Sequence, residues 1–386
     1  MHSHHSHSSD YVAHGVDPLE SIISRVLELN FHTYCLTEHM PRLTVEYLYP
    51  EELNSECKSD DLKVLQDKFS KFLEHAKIIK NRETGKRTQF LIGTEVEGCD
   101  EKHVAYAHEL MKNHSDVLQF FVGSVHHVNG IAIDFNAQYW LEALKVSGNN
   151  LKQLLLDYFE LQYRMLVSLE PLVVGHFDLI RLFCPQDMLV NVNTGEVVQS
   201  LQDGSVKMVK DISLIEQWPE VTESVIRNLK FINNYGGVIE INSAALRKGL
   251  PYPYPHRDIG MLVKEYCGGR FVLGDDAHGV SQVGVCYDEV LKYIDEVLQL
   301  DKLYYLAEEG GSIKPKTISL EDVKKDPFWS SYSWAVQNRK IIFIIRTCLL
   351  LGNNIDTNLL YMNKIIVTIS SKNDQTYSIE WLHVGT

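Results

Sequence analysis

The sequence predicts an α/β fold in which parallel strands are covered by helices and closed into a barrel. Three observations carry that expectation. Short β-rich apolar runs alternate with segments of helical period as far as about residue 300. No internal repeat of roughly 20–50 residues is visible, which excludes a solenoid. A length of 386 residues leaves room for one barrel of roughly 250 residues plus insertions.

The elements follow in order. Asp17-Pro18 reads as an N-cap followed by proline at the first helical position. Leu19, Ile22, Ile23, Val26 and Leu27 then share one face of an amphipathic helix. Strand-like runs are Tyr34 to Thr37, Phe90 to Ile92, Phe120 to Val122, Leu172 to Val174, Val238 to Ile241 and Phe271 to Leu273. Helical stretches lie between several of them, such as Val221 to Asn234, stopped by Gly236-Gly237, and Asp288 to Leu298. Two regions depart from the pattern. Residues 186–219 are polar with scattered Gly and Asn and read as an insertion or long loop. Residues 330–386 turn rich in Ile, Asn, Ser and Thr without clear period, and read as an atypical extension after a domain spanning 1–329.

Composition narrows the function. There are 37 Lys+Arg against 51 Asp+Glu, a net charge of −14. Hydrophobic content of 45% and charged content of 23% are ordinary for a folded globular chain, excluding a disordered, collagen-like or coiled-coil protein. The acidic balance argues against a nucleic-acid partner, which a basic face would hold. It does not exclude a small anion gripped locally. The seven Cys are scattered with no C-x-x-C, so neither a disulfide framework nor a thiolate zinc site is expected. The N-terminus lacks the apolar core of a signal peptide. The most apolar stretch, Ile341 to Leu351, is broken by Arg346 and is shorter than the roughly 20 residues a bilayer span needs. A cytoplasmic protein without membrane contact is expected.

The chemistry is legible in where His, Asp and Glu sit. His2, His4, His5, His7 and His14 open the chain. Thr37-Glu38-His39, Gly93-Thr94-Glu95-Val96-Glu97, Gly123-Ser124-Val125-His126-His127, Gly175-His176-Phe177-Asp178 and Gly274-Asp275-Asp276-Ala277-His278 each fall at the end of a strand-like run. In a parallel barrel those ends gather on one face. Each motif alone has a bland explanation: a solvated tail, a core-edge histidine pair, a helix cap. Five strand ends delivering imidazole and carboxylate together point to divalent cations, since such groups are costly to bury unbound and suit Zn, Fe or Mn.

In that order and spacing, His5-Ser6-His7, His14-Gly15, Thr37-Glu38-His39, Gly93-x-Glu95, Ser124-Val125-His126-His127, Gly175-His176 and Asp276-x-His278 resemble the motifs of the PHP (polymerase and histidinol phosphatase) metallo-phosphoesterases. Longer blocks, among them residues 1–15, residues 36–42, Gly175 to Arg181, Glu240-Ile241-Asn242 with Leu246-Arg247-Lys248, and Asp275 to Gly279, resemble the fungal histidinol-phosphatase branch. The resemblance covers about residues 1–329. It implies a distorted (β/α)7 TIM-like barrel with three metal ions. It places His5, His7, Glu95 and Asp276 on one ion, with Glu95 bridging to a second held by His126 and His176, and His14, His39 and His278 on a third. Two positions depart from the family pattern: Gly274, where serine is expected, and Ser243-Ala244-Ala245, where Thr-Ser is more usual.

The resemblance implies hydrolysis of L-histidinol phosphate to L-histidinol and phosphate in histidine biosynthesis. The attack on phosphorus would come from a metal-bound, bridging hydroxide, generated because clustered cations lower the pKa of water. Arg181 would clamp the phosphate, with Arg42, Arg247 and Lys248 as further candidates. Asp178 would orient a ligand histidine through its ring N–H, and His127 is a candidate proton donor to the leaving alcohol. No G-x-x-x-x-G-K-[ST] loop is present, which weighs against a nucleotide phosphoryl-transfer design. The competing expectations are a phosphoesterase of the same family acting on another small ester or a nucleotide, and a binding protein with a vestigial site.

Overall fold

The structure, a computed structural model, describes residues 1–200, 204–333, 354–356, 364–370 and 376–382. The chain divides into two compact units, Met1–Asp326 and Pro327–Thr386. In the second, Asn354–Asp356, Lys364–Ser370 and Thr376–Leu382 form a three-stranded antiparallel sheet. The apolar stretch Ile341 to Leu351 lies outside the described residues.

The first unit is built on seven parallel strands lying side by side in chain order. They are β1 (His2–Ser3), β2 (Thr33–Leu36), β3 (Gln89–Glu97), β4 (Phe120–Ser124), β5 (Val173–Val174), β6 (Val238–Asn242) and β7 (Phe271–Gly274). The last strand returns to the first. His4 N–H donates to the Leu273 carbonyl at 2.9 Å, and Asp276 N–H to the His5 carbonyl at 3.1 Å. Ser6 and Ala277 form a parallel bridge beyond them. The sheet is thereby a nearly closed barrel with no long free edge. Six strands coincide with the expected apolar runs. The seventh, β1, is two residues of the histidine-rich opening, held by its register His2↔Thr33 and Ser3↔Tyr34.

The α-helices of six residues or more among the described residues are α1 (Leu19–Glu28), α2 (Lys58–Glu83), α3 (Glu101–Asn113), α4 (Ala137–Val146), α5 (Leu151–Leu169), α6 (Pro219–Tyr235), α7 (Arg257–Tyr266) and α8 (Tyr287–Lys292). The start of α1 differs from expectation. Asp17 does not cap it: its Oδ2 accepts from Val280 N–H at 2.8 Å, and Asp10 Oδ2 instead accepts from Leu19 N–H at 2.8 Å. Asp17 therefore ties the α1 entry to the chain after β7. The end of α6 is as the glycine pair predicts, with Gly236 at φ +82°, a conformation a Cβ disfavours. The region read as an insertion contains an antiparallel pair, Leu189–Asn191 with Val206–Met208.

One apolar layer fills the barrel. Cys35, Leu91, Phe120, Val122, Val173, Val238 and Val272 meet Leu306 there. Leu306 comes from a hairpin of β8 (Lys302–Glu309) and β9 (Ser312–Ser319). The buried His4 fastens this hairpin. Its Nδ1 bonds the Leu273 carbonyl at 2.8 Å and its Nε2 accepts from Leu306 N–H at 3.0 Å. With both nitrogens engaged by backbone, His4 is structural.

Gly274 explains its own departure from the expected serine. A Cβ there would stand 1.7 Å from Glu240 Oε1 and 2.8 Å from its Cγ, so the glycine makes room for a buried carboxylate. Gly274→Ser is expected to destabilise the fold by about 1–3 kcal/mol, the usual range for overpacking. Urea unfolding reads this as a lower midpoint; an unchanged midpoint would show that Glu240 has another place to go.

Candidate metal centre

The strand ends bring their imidazoles and carboxylates to one point. β3 is the axis. Side chains alternate along a strand, so Glu95 and Glu97 both face inward, and both are buried. Around Glu95 Oε1 stand His5 Nε2 at 3.2 Å, His126 Nε2 at 3.2 Å and His176 Nε2 at 2.9 Å. Around Oε2 stand His7 Nε2 at 3.4 Å and His39 Nδ1 at 2.8 Å. Asp276, from the segment after β7, places Oδ1 3.5 Å from His7 Nε2 and 3.9 Å from His5 Nε2. Its backbone sits at φ +47°, an uncommon conformation for a non-glycine residue that aspartate tolerates better than most. His278 turns Nδ1 to the Asp276 carbonyl at 2.9 Å and Nε2 to His14 Nε2 at 2.9 Å. His14 is the most exposed member, and Glu51 lies 3.6 Å from its Nδ1.

All nine residues the sequence nominated as ligands are thus neighbours. His5 and His7, not His2 and His4, are the opening histidines that face Glu95. Three overlapping triads have mutually close donor atoms: His5/His7/Asp276, His5/Glu95/His176 and His7/His39/His278. The grouping differs in detail from the implied one, since His7 lies with His39 and His278 as well as with His5.

The donor set fits divalent cations. His5 Nε2, both nitrogens of His7, His39 Nδ1 and His176 Nδ1 are buried without a hydrogen-bond partner. His39 Nδ1 is only 2.8 Å from Glu95 yet is not aligned to share a proton with it, as expected of two atoms aimed at a common ion. Charge tells the same story. Burial opposes protonation of His5 and His126, but Glu95, with Glu240 or Glu97, overrides it and raises both well above the ordinary histidine value. Burial, seconded by the neighbouring His7, pushes His39 and His278 well down. Protons can therefore occupy only part of the ring, and the neutral imidazoles keep lone pairs facing carboxylates, a coordination set for Zn, Fe or Mn.

A second set of residues aims the first. Glu240 accepts from His5 Nδ1 at 3.2 Å and from His176 N–H at 2.9 Å. Glu97 accepts from His126 Nδ1 at 3.1 Å, His126 N–H at 3.0 Å and His127 Nδ1 at 3.0 Å. A carboxylate on Nδ1 holds the Nε2 lone pair toward the centre. Sequence reasoning gave this orienting task to Asp178 and missed Glu97 and Glu240. The signal was available: a glutamate inside an apolar strand, and a second one two residues after Glu95.

The expected substrate residues are redistributed. A cavity of about 300 Å3 opens on the ring, lined by Arg247, Lys248, Tyr49, Asp134 and Phe135 together with ring residues. A larger groove of about 980 Å3 beside α3 and α5 contains none of the nine. Arg181 does not line the cavity. Its Nη2 lies 2.8 Å from both oxygens of Asp258 and its Nε 2.6 Å from Asp178 Oδ2, so it closes an internal ion cluster. Asp178 accepts from His256 N–H at 3.0 Å and touches no ligand histidine. Arg42 is buried with Nη1 3.4 Å from Glu97, and His127 gives its Nδ1 to Glu97 with Tyr47 and Tyr49 edge-on to its ring. Arg247 remains at the cavity: its Nη2 reaches the Asp276 carbonyl at 3.4 Å, while its Nε is buried without a partner.

Comparison with known proteins places this geometry among relatives. The PHP domain model matches residues 3–244. The histidinol-phosphatase of Saccharomyces cerevisiae is 50% identical over 338 residues, 86% of this chain and 100% of that protein. The probable histidinol-phosphatase of Schizosaccharomyces pombe is 37% identical over 332 residues, 86% of this chain and 96% of that one. Among solved structures, a presumed histidinol phosphatase of Listeria monocytogenes matches with a TM-score of 0.57 at 22% identity, covering 75% of this chain and 99% of that one. A histidinol phosphate phosphatase of Lactococcus lactis, complexed with zinc, L-histidinol and phosphate, matches with a TM-score of 0.54 at 13% identity, covering 81% and 98%.

The ion cluster around Arg181 generates a stability prediction. Arg181→Ala leaves Asp258 and Asp178 buried without their cation and is expected to cost about 3–5 kcal/mol. Despite burial, Arg181 holds the Asp258 carboxyl well below its usual range. A depressed carboxyl contributes stability above its unfolded pKa of about 3.9. The gap between wild type and variant should therefore be full at neutral pH and close only as acid protonates Asp258. Chemical denaturation at several pH values measures it, and a gap that persists at the acid end would show that Asp258 is not the group concerned.

Proposed function

Because the chain belongs to the PHP family, we propose that it is a histidinol-phosphate phosphatase, hydrolysing L-histidinol phosphate to L-histidinol and phosphate in histidine biosynthesis. The observation that carries this reading is identity at half of the aligned positions along the full length of a histidinol-phosphatase. The cavity of about 300 Å3 suits a small ester, and the net charge of −14 disfavours a polyanionic chain. No helix among the described residues is long and apolar enough to cross a membrane. The cysteines described are free, in keeping with a cytoplasmic setting.

The residues proposed to hold divalent cations, three per chain, are His5, His7 and Asp276 with Glu95; Glu95 with His126 and His176; and His14, His39 and His278. Zinc, iron and manganese all accept this set, and zinc is the metal in the Lactococcus lactis structure. Cations bound there neutralise ester oxygens and lower the pKa of water from 15.7 toward about 7.

The chain does the rest. Glu95 presents one oxygen to each side of the ring and fixes the spacing of the donors. Glu97 and Glu240 hold the Nδ1 protons of His126 and His5, so each Nε2 stays a lone-pair donor. Arg247 and Lys248, on the single turn after β6, take the phosphate-binding role that the sequence suggested for Arg181. Lys248 forms no ion pair among the described residues, and it adds to the positive charge, led by His5, that outweighs burial and holds the Asp276 carboxyl well down. Arg247 offers its unpartnered Nε, a charge-assisted donor suited to a phosphate oxygen.

Phosphate release should be seen with L-histidinol phosphate and be at least about tenfold slower with nucleoside monophosphates, the low end of what pocket shape alone discriminates. A chelator should abolish it, and Zn, Mn or Fe should restore it. Equal turnover of nucleotides would overturn the substrate, and activity indifferent to chelation would overturn the cation role. Arg247→Ala is expected to lower kcat/KM by about 10- to 150-fold, the loss of one charged hydrogen bond of about 1.5–3 kcal/mol; steady-state kinetics on the folded variant check this.

A further inference from the structure

Four carboxylates line the cavity: Glu51, Glu95, Asp134 and Asp276. Glu95 and Asp276 belong to the ligand ring, and Glu51 lies 3.6 Å from His14. Asp134 is left over. Its Oδ1 accepts from Tyr49 OH at 2.7 Å, and no donor among the described residues reaches its Oδ2. A carboxylate oxygen left open in a cavity asks for a donor that arrives with the ligand.

The surroundings say what kind of donor. Tyr49 and Phe135 line the same cavity, with ring centroids 6.1 Å apart and planes tilted by 58°. The Tyr49 ring is held in turn by the Arg42 guanidinium at 5.3 Å and by His127 at 5.3 Å. Aromatic faces beside an open carboxylate recognise a flat ring that carries an N–H, by stacking and by one charged hydrogen bond. The distance to the chemistry is fixed as well. Ile133 N–H donates to the His126 carbonyl at 2.8 Å, so Asp134 is anchored one residue from a backbone bond to a proposed ligand. The cations Arg247 and Lys248 come from a different sector of the rim, after β6, whereas Asp134 follows β4.

We propose that Tyr49, Phe135 and Asp134 form the subsite for the nitrogen heterocycle of the ester, with Asp134 Oδ2 accepting a ring N–H of the imidazole. This rests on the histidinol-phosphate reading and names the residues that confer it. The subsite acts in binding: it selects an ester with a ring N–H and leaves phosphate recognition to the other side of the cavity.

The test separates the two halves of the product in the metal-replete protein. With Asp134→Asn, the inhibition constant of L-histidinol and the KM of L-histidinol phosphate are expected to rise about 10-fold or more. The inhibition constant of inorganic phosphate and the kcat at saturating ester should stay within about 3-fold. Tyr49→Phe, which keeps the aromatic face and removes the hydroxyl that fixes Asp134, should shift the same two constants in the same direction by less; it serves as the test if Asp134→Asn does not fold. An L-histidinol constant unmoved in both variants, or one that rises only in step with the phosphate constant, would overturn the subsite while leaving the phosphatase reading intact. A wild-type protein that releases phosphate from other esters and none from L-histidinol phosphate would overturn both.

Discussion

The structure is organised around one buried anion. Glu95 sits almost without solvent near the C-terminal end of β3, with three imidazoles on one oxygen and two on the other. A carboxylate taken out of water without compensation is expensive, so its presence demands positive charge close by. The barrel supplies the geometry that makes this feasible. Parallel strands ending at one level bring donors from remote parts of the sequence within a few ångströms of β3, and the apolar layer beneath them, closed by Leu306, holds the strands in register.

That demand propagates outward. The rings that face Glu95 must present nitrogen lone pairs, so their other nitrogens need acceptors, and Glu97 and Glu240 meet the need for His126 and His5. Two more buried carboxylates then need accommodation of their own. Arg42 sits against Glu97, and Asn242 Nδ2 donates to Glu240 at 3.0 Å. Space is part of the same requirement, since Gly274 is the position whose missing side chain leaves room for Glu240. Each layer is explained by the one inside it, which is why single residues here carry several duties.

The sequence made much of this readable, for identifiable reasons. Parallel strands buried on both faces read as continuous apolar runs, and six of the seven did so. Ligand-type residues immediately after those runs marked the functional face before any coordinates. What escaped notice was of two kinds. β1 has two residues and lies among histidines, so neither length nor hydrophobicity announced it; its pairing with β2 and β7 is a tertiary decision. Arg181 was read as a clamp because it stands three residues after an aspartate in a glycine-histidine block, whereas the structure engages it with carboxylates. Besides Asp178, it pairs with Asp258, 77 residues away, a distance at which sequence spacing says nothing. The capping of α1 by Asp10 in place of Asp17 is the same failure on a small scale: two acids stand near one helix start, and the chain after β7 claims the nearer one.

The pairing of β1 with β7 has a consequence for assembly. Ser3 Oγ donates to Asp275 at a sequence separation of 272, and the proposed ligand ring is split in the same way, with His5 and His7 at one end of that span and Asp276 and His278 at the other. Contacts so distant in sequence form late, because chain entropy opposes them until most of the fold is in place. No partially folded intermediate lacking the β1–β7 seam has a complete coordination shell. Any cation held by the proposed ring would therefore bias the equilibrium toward the sealed barrel over every open precursor, acting as a latch on the topology.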